Sequence, residues 1–220
     1  MASVPLRYDL YQTMTTGEYS EEAMFFQKKV LVLYGSADGR LDKAVFESTS
    51  IPDILLFLKI SHHYYLNKLV PEIEQSLGYA LALVNGGDEL WVHLSLFFMD
   101  YKTRLLEHIA EEEQVYFPIL QKLYELDTEP LNTADIRDFI AQENLFFITD
   151  HHDAIEDELA EIIHIINLYV EEVNQSMPLR IFVSQINRFE MELRNHAILE
   201  DLLLLPMAKR LEARLRGALA

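Results

Sequence analysis

From Ile51 onward, apolar residues recur at spacings of three and four along four long stretches, the period of helices that each bury one face. The first stretch reads Leu56, Ile60, His63, Leu66, Val70, Ile73 and Leu77, and the second Leu94, Phe98, Tyr101, Leu105, His108, Glu112, Val115 and Ile119. The third is Leu145, Ile148, His152, Ile155, Leu159, Ile162, Ile166, Tyr169 and Val173. The fourth is Phe182, Ile186, Phe189, Leu193, His196, Glu200, Leu203 and Met207. Turn-forming clusters separate them: Asn85-Gly86-Gly87-Asp88, then Asp127 to Thr133 around Pro130, then Asn174 to Pro178. The pattern predicts helices over 52–84, 88–126, 133–173 and 178–214. Their lengths and short connections predict an all-α fold, an antiparallel up-down-up-down four-helix bundle over residues 51–220. Residues 1–50 carry Gly17, Gly35 and Gly39, and Ser20-Glu21-Glu22 reads as a helix start. Short helices over 21–34 and 41–47 are expected, which makes this segment a short N-terminal helical arm packed on the main domain.

Each stripe is interrupted at its middle by polar groups. His63, His108, Glu112, His152, His196 and Glu200 stand where leucine is expected. Residues four apart share a helix face, so His108 with Glu112 and His196 with Glu200 are two-toothed ligand pairs. Distances from the turns place all six at one level of an antiparallel bundle, roughly 30–36 Å from either end at about 1.5 Å per residue. His63 and His108 are 45 residues apart, and His152 and His196 are 44 apart. Both His108 and His196 begin the pattern H-x-x-x-E-x5-P, so the two helix pairs are related by a pseudo-twofold axis. Four imidazoles and two carboxylates in such an arrangement suit two metal ions, each with two histidines, bridged by both glutamates. Positions remain open for oxygen, nitric oxide or a bridging oxide. Buried ionisable groups cost several kcal/mol each unless paired, so six in one layer demand an explanation. An all-protein hydrogen-bond network is the alternative to metal, and it would make the chain a metal-free interaction bundle. Nitrogen and oxygen donors without sulfur favour iron or manganese and admit zinc; the spacing leaves the metal open.

Neighbouring residues are expected to do less. His62 and His151 each precede a stripe residue by one and turn about 100° away, which makes them boundary residues. Glu113 turns away from its stripe by the same angle and is expected to be inert. Glu156 lies four after His152 but one position off the stripe. His93 and His164 are expected at the surface, Tyr101 in the core. Pro71, Pro118 and Pro206 lie inside helices and are expected to mark kinks.

Composition narrows the function. Half the residues are hydrophobic and a quarter charged, as in a folded globular chain. Acidic residues outnumber basic ones 36 to 18, and the resulting charge of −18 repels phosphate backbones and anionic headgroups. Neither nucleic acid nor a membrane surface is expected as a partner. The absence of cysteine excludes disulfides, zinc-thiolate sites, cluster ligation and thiol catalysis by this chain. No apolar run reaches the length of a membrane span, and Met1-Ala-Ser-Val-Pro-Leu-Arg lacks the apolar core of a secretion signal. A cytoplasmic location is expected.

With these residues in view, the chain resembles the hemerythrin-like HHE cation-binding family, and more closely its di-iron repair-of-iron-centres proteins. The resemblance rests on Ser61-His62-His63 with Pro71, Glu107-His108-Ile-Ala-Glu-Glu112 with Pro118, Asp150-His-His152-Asp153, and Asn195-His196-Ala-Ile-Leu-Glu200 with Pro206. It implies a non-haem centre of two iron ions, oxo- or hydroxo-bridged, held by His63, His108, Glu112, His152, His196 and Glu200. It further implies a role in nitrosative and oxidative stress, with nitric oxide and oxygen as ligands and iron–sulfur proteins as clients for cluster repair. The alternative within the resemblance is a hemerythrin-type oxygen or nitric oxide binder or sensor without turnover. The chain departs from many of these repair proteins in lacking their N-terminal pair of adjacent cysteines. It also shows no fifth histidine or extra aspartate on the stripes, as the oxygen carriers have.

Overall fold

The computed structural model describes residues 49–83, 89–128, 133–142, 159, 162–164, 166 and 177–219. Every one of these except Thr49, Ser50 and Leu219 is helical, and no strand occurs among them. The helices are α1 (Ile51–Tyr64), α2 (Val70–Leu83), α3 (Glu89–Glu111), α4 (Phe117–Thr128), α5 (Thr133–Gln142), α6 (Met177–Leu199) and α7 (Leu205–Ala218). The expected arm lies outside the described residues apart from Thr49 and Ser50, as does most of the expected third long helix, of which residues 133–142, 159, 162–164 and 166 are helical. No helix among the described residues is long and apolar enough to cross a membrane.

Three of the expected rods are continuous, but each contains a wide turn. A π-turn at Tyr65–Leu69 joins α1 to α2, one at Glu112–Tyr116 joins α3 to α4, and one at Glu200–Leu204 joins α6 to α7. The backbone closes each turn with a bond five residues back, Val70 N–H to Tyr65 C=O, Phe117 N–H to Glu112 C=O, and Leu205 N–H to Glu200 C=O. The cause is in the next residue. Pro71, Pro118 and Pro206 have no N–H to offer the carbonyl four residues back, and their rings crowd it. Widening the preceding turn moves that carbonyl aside without breaking the rod. Prolines expected to mark kinks thus accompany π-turns.

The described residues fall into two compact units. The first takes in 49–62, 111–142 and 196–219. Its core is built from Ile51, Ile54 and Leu58 of α1, Phe117, Leu120 and Leu123 of α4, Ile136 of α5, and Leu203, Leu204, Ala208 and Leu215 of the third π-turn and α7. Ser50 starts α1 with a capping box: its N–H donates to Asp53 Oδ2 (3.0 Å), while Asp53 N–H donates to Ser50 Oγ (3.3 Å). Arg214 of α7 pairs with Asp127 of α4. The second unit buries Tyr65, Val70, Ile73, Phe98, Tyr101, Leu105, Phe182, Ile186 and Phe189. Phe189 meets both tyrosine rings nearly at right angles, 5.7 Å from Tyr65 and 6.5 Å from Tyr101 between centroids. The Tyr65 hydroxyl donates to the Glu192 carbonyl at 3.1 Å.

Candidate metal centre

Four ionisable side chains of the first unit are buried where an ordinary core would be apolar: His62 (1 % exposed), Glu112 (5 %), His196 (4 %) and Glu200 (4 %). His62 lies near the end of α1, Glu112 opens the second π-turn, His196 lies in the last turn of α6, and Glu200 opens the third π-turn. His62, Glu112 and His196 each offer a donor atom within 4.8 Å of the other two. The two Nε2 atoms are 3.0 Å apart, and His62 Nε2 is 3.2 Å from Glu112 Oε2. His196 Nε2 is 3.3 Å from Glu200 Oε1.

The donor set fits a metal ion. Atoms about 2.0–2.1 Å from one ion stand roughly 2.8–3.4 Å from each other at right-angled to tetrahedral geometry. The His62–His196 and His62–Glu112 distances lie in that interval, and Glu112 and His196 offer atoms within 4.8 Å of each other. Two imidazole nitrogens at 3.0 Å also require something positive between them, a proton or a metal ion. A buried group of two histidines and a carboxylate, with a second carboxylate beside it, could therefore hold a metal ion.

His62 is the residue whose placement differs most from the expectation. It was expected at the boundary and lies at the centre of the group, while His63 is exposed and takes a hydrogen bond at Nδ1 from the Asn67 amide (3.1 Å). The cause is the first π-turn. The buried series of this rod runs Leu58, His62, Tyr65, Leu69, Ile73 and Leu77, so a helical period traced back from Val70 through the wide turn arrives one residue out of phase. His108 is half-buried and stands outside the three-residue group. His152, His151 and Glu156 lie outside the described residues. His93 and His164 are exposed, and Tyr101 is fully buried.

Glu113, expected to be inert, is bound to the cluster. Its Oε1 is 2.9 Å from His62 Nδ1. The face of the imidazole lies along the Phe117 ring, at 5.7 Å between centroids and 10° between planes. Lys59 stands over the same phenyl ring at 6.0 Å. Burial opposes a charge on His62, but hydrogen bonds to Glu112 and Glu113, and their charges, outweigh it and raise its pKa above the ordinary 6.5. The His62 hydrogen bond holds Glu113 below its ordinary 4.5 against the opposing effect of partial burial, and Lys59 adds to the lowering.

A stability profile follows for the metal-free protein. The raised His62 contributes fully below pH 6.5, and that contribution is lost as pH rises through its folded pKa. The lowered Glu113 contributes above pH 4.5 and is lost as pH falls through its folded pKa. The pair therefore stabilises most between those two values, and Glu113→Ala flattens the advantage. Urea midpoints of metal-free wild type and variant across pH check this; curves that stay parallel would contradict it.

No protein-family model matches the chain, and no curated protein or solved structure matches it either.

Proposed function

We propose that the buried cluster is one half of a non-haem di-iron centre in an antiparallel four-helix bundle, and that the protein acts in nitrosative and oxidative stress. Its work there is iron delivery to damaged iron–sulfur clusters, or nitric oxide chemistry at the centre. The observation that carries the reading is the convergence of His62, Glu112 and His196 within 4.8 Å in a buried site. The resemblance noted in the sequence supports iron over manganese or zinc.

In this reading His62, in place of His63, ligates beside His196, and Glu112 and Glu200 supply the carboxylates. Iron held there would supply redox chemistry and open positions for a diatomic ligand. The side chains do the rest. Glu112 and Glu200, both buried, offset the charge of a cation that burial would otherwise make costly. The buried Phe117 ring, stacked on His62, helps keep bulk water from the donor atoms.

Anaerobic reconstitution with ferrous iron, followed by iron analysis and Mössbauer spectroscopy, tests the proposal. Two coupled irons per chain are expected. Fewer than one iron per chain would overturn the metal reading and leave the hydrogen-bonded network as the explanation of the buried groups. Consumption of nitric oxide by the reduced, loaded protein supports turnover, whereas reversible binding alone would favour the hemerythrin-type binder.

A further inference from the structure

We propose that Glu113 is the positioning residue of this centre, fixing the His62 imidazole in the tautomer whose Nε2 lone pair faces Glu112 and His196. A carboxylate accepts and does not donate, so each of the two carboxylates calls for a ring proton, and a neutral imidazole has one. The shorter contact, 2.9 Å to Glu113 against 3.2 Å to Glu112, places it on Nδ1. A neutral imidazole carrying its proton there has its free lone pair on Nε2, the nitrogen 3.2 Å from Glu112 and 3.0 Å from His196. The flat stacking on Phe117 fixes the plane of the ring but not which nitrogen points inward. The hydrogen bond to Glu113 makes that choice.

Two consecutive carboxylates therefore meet one imidazole from opposite sides, Glu112 at Nε2 and Glu113 at Nδ1. Their side-chain exposures differ, 6 % for Glu112 and 37 % for Glu113. The exposed one keeps its charge at little cost and orients; the buried one is left for the ion. Glu113 contacts the far edge of the ring and is not itself a ligand of anything bound at Nε2. Outer carboxylates of this kind typically change metal affinity 10- to 100-fold.

The effect on affinity rests on the metal reading above; the tautomer does not. The experiment uses full-length metal-free protein labelled with ¹⁵N-histidine, at a pH high enough to keep imidazoles neutral, with NMR reading which nitrogen of His62 carries the proton. Wild type is expected in the Nδ1–H form. Glu113→Ala shifts it towards Nε2–H, and E113Q, whose amide can accept from Nδ1–H or donate to a bare Nδ1, gives a mixture of the two forms. In anaerobic competition against a chelator, Glu113→Ala binds ferrous iron about 10- to 100-fold more weakly than wild type, and E113Q lies between them. Gln114→Ala, an exposed neighbour, matches wild type in both measurements. The proposal is overturned if Glu113→Ala keeps His62 in the Nδ1–H form, or if Glu113→Ala binds iron as tightly as wild type. Should wild type bind no iron, the proposed function fails, and the tautomers alone decide the role of Glu113.

Discussion

If the cluster holds iron as proposed, replacing His62 with alanine removes ferrous-iron binding there, whereas His63→Ala leaves it unchanged. The two residues are adjacent, share a chemistry and differ in where the rod points them. His62 is 1 % exposed with Nε2 against two other donors, and His63 is exposed with its Nδ1 engaged by Asn67. Loss of a donor atom should cost more than the roughly 10- to 100-fold typical of an outer partner, so His62→Ala is expected to fall below detection in a chelator competition that resolves Glu113→Ala. Iron content after reconstitution gives the same comparison without a competitor. The opposite result, with His63 required and His62 dispensable, would discard the three-residue group as the ligand set. It would restore the uninterrupted apolar period as the guide.

Phe117→Ala is the core substitution with the largest expected effect. Phe117 is 2 % exposed, packs in the core of the first unit and provides the surface on which the His62 ring lies. Removing a buried phenyl group costs about 3–5 kcal/mol, which in a chain of this size lowers Tm by about 6–20 °C. Ile181→Ala, on a side chain 46 % exposed, should stay within about 0.5 kcal/mol and serves as the comparison. Urea unfolding of both metal-free variants measures the difference. A loss below about 1 kcal/mol for Phe117→Ala would mean that the site collapses around the deletion instead of retaining a cavity.

Helices were legible in the sequence because their apolar period is strong, and α1 begins at Ile51, one residue before the expected start. The facing of residues was legible only on one side of each π-turn. In the rods built from α3–α4 and α6–α7 the period is well defined before the turn, so Glu112, His196 and Glu200 are buried where it puts them. The error falls afterwards: Val115 is 44 % exposed while Tyr116 and Leu120 are buried, and Ala208 is buried in place of Met207. In the rod built from α1 and α2 the period matches the buried face after the turn, at Val70, Ile73 and Leu77, so the slip falls before it and exchanges His63 for His62. The signal that could have corrected this was present. Tyr65, Glu112 and Glu200 each precede a proline by six residues, and a proline inside an unbroken apolar stripe calls for a wide turn ahead of it. Glu113 was missed for the same reason, since only an ordinary helical turn would carry it away from its neighbour's partner. What became of His152 lies outside the described residues.

The π-turns have a consequence for how such chains change over time. A π-turn is one residue more than an α-helix needs, held inside a rod that continues on both sides. The chain passes from one compact unit to the other between His62 and His63, between Ala110 and Glu111, and between Asn195 and His196, each a short step ahead of such a turn. An insertion or deletion of one residue inside a helix ordinarily rotates everything beyond it by about 100° and exposes the core. Here, loss of the one extra residue, with the proline replaced by a residue that has an N–H, would leave both flanking faces pointing as before. Relatives of this chain can therefore differ from it in length at three places in mid-helix.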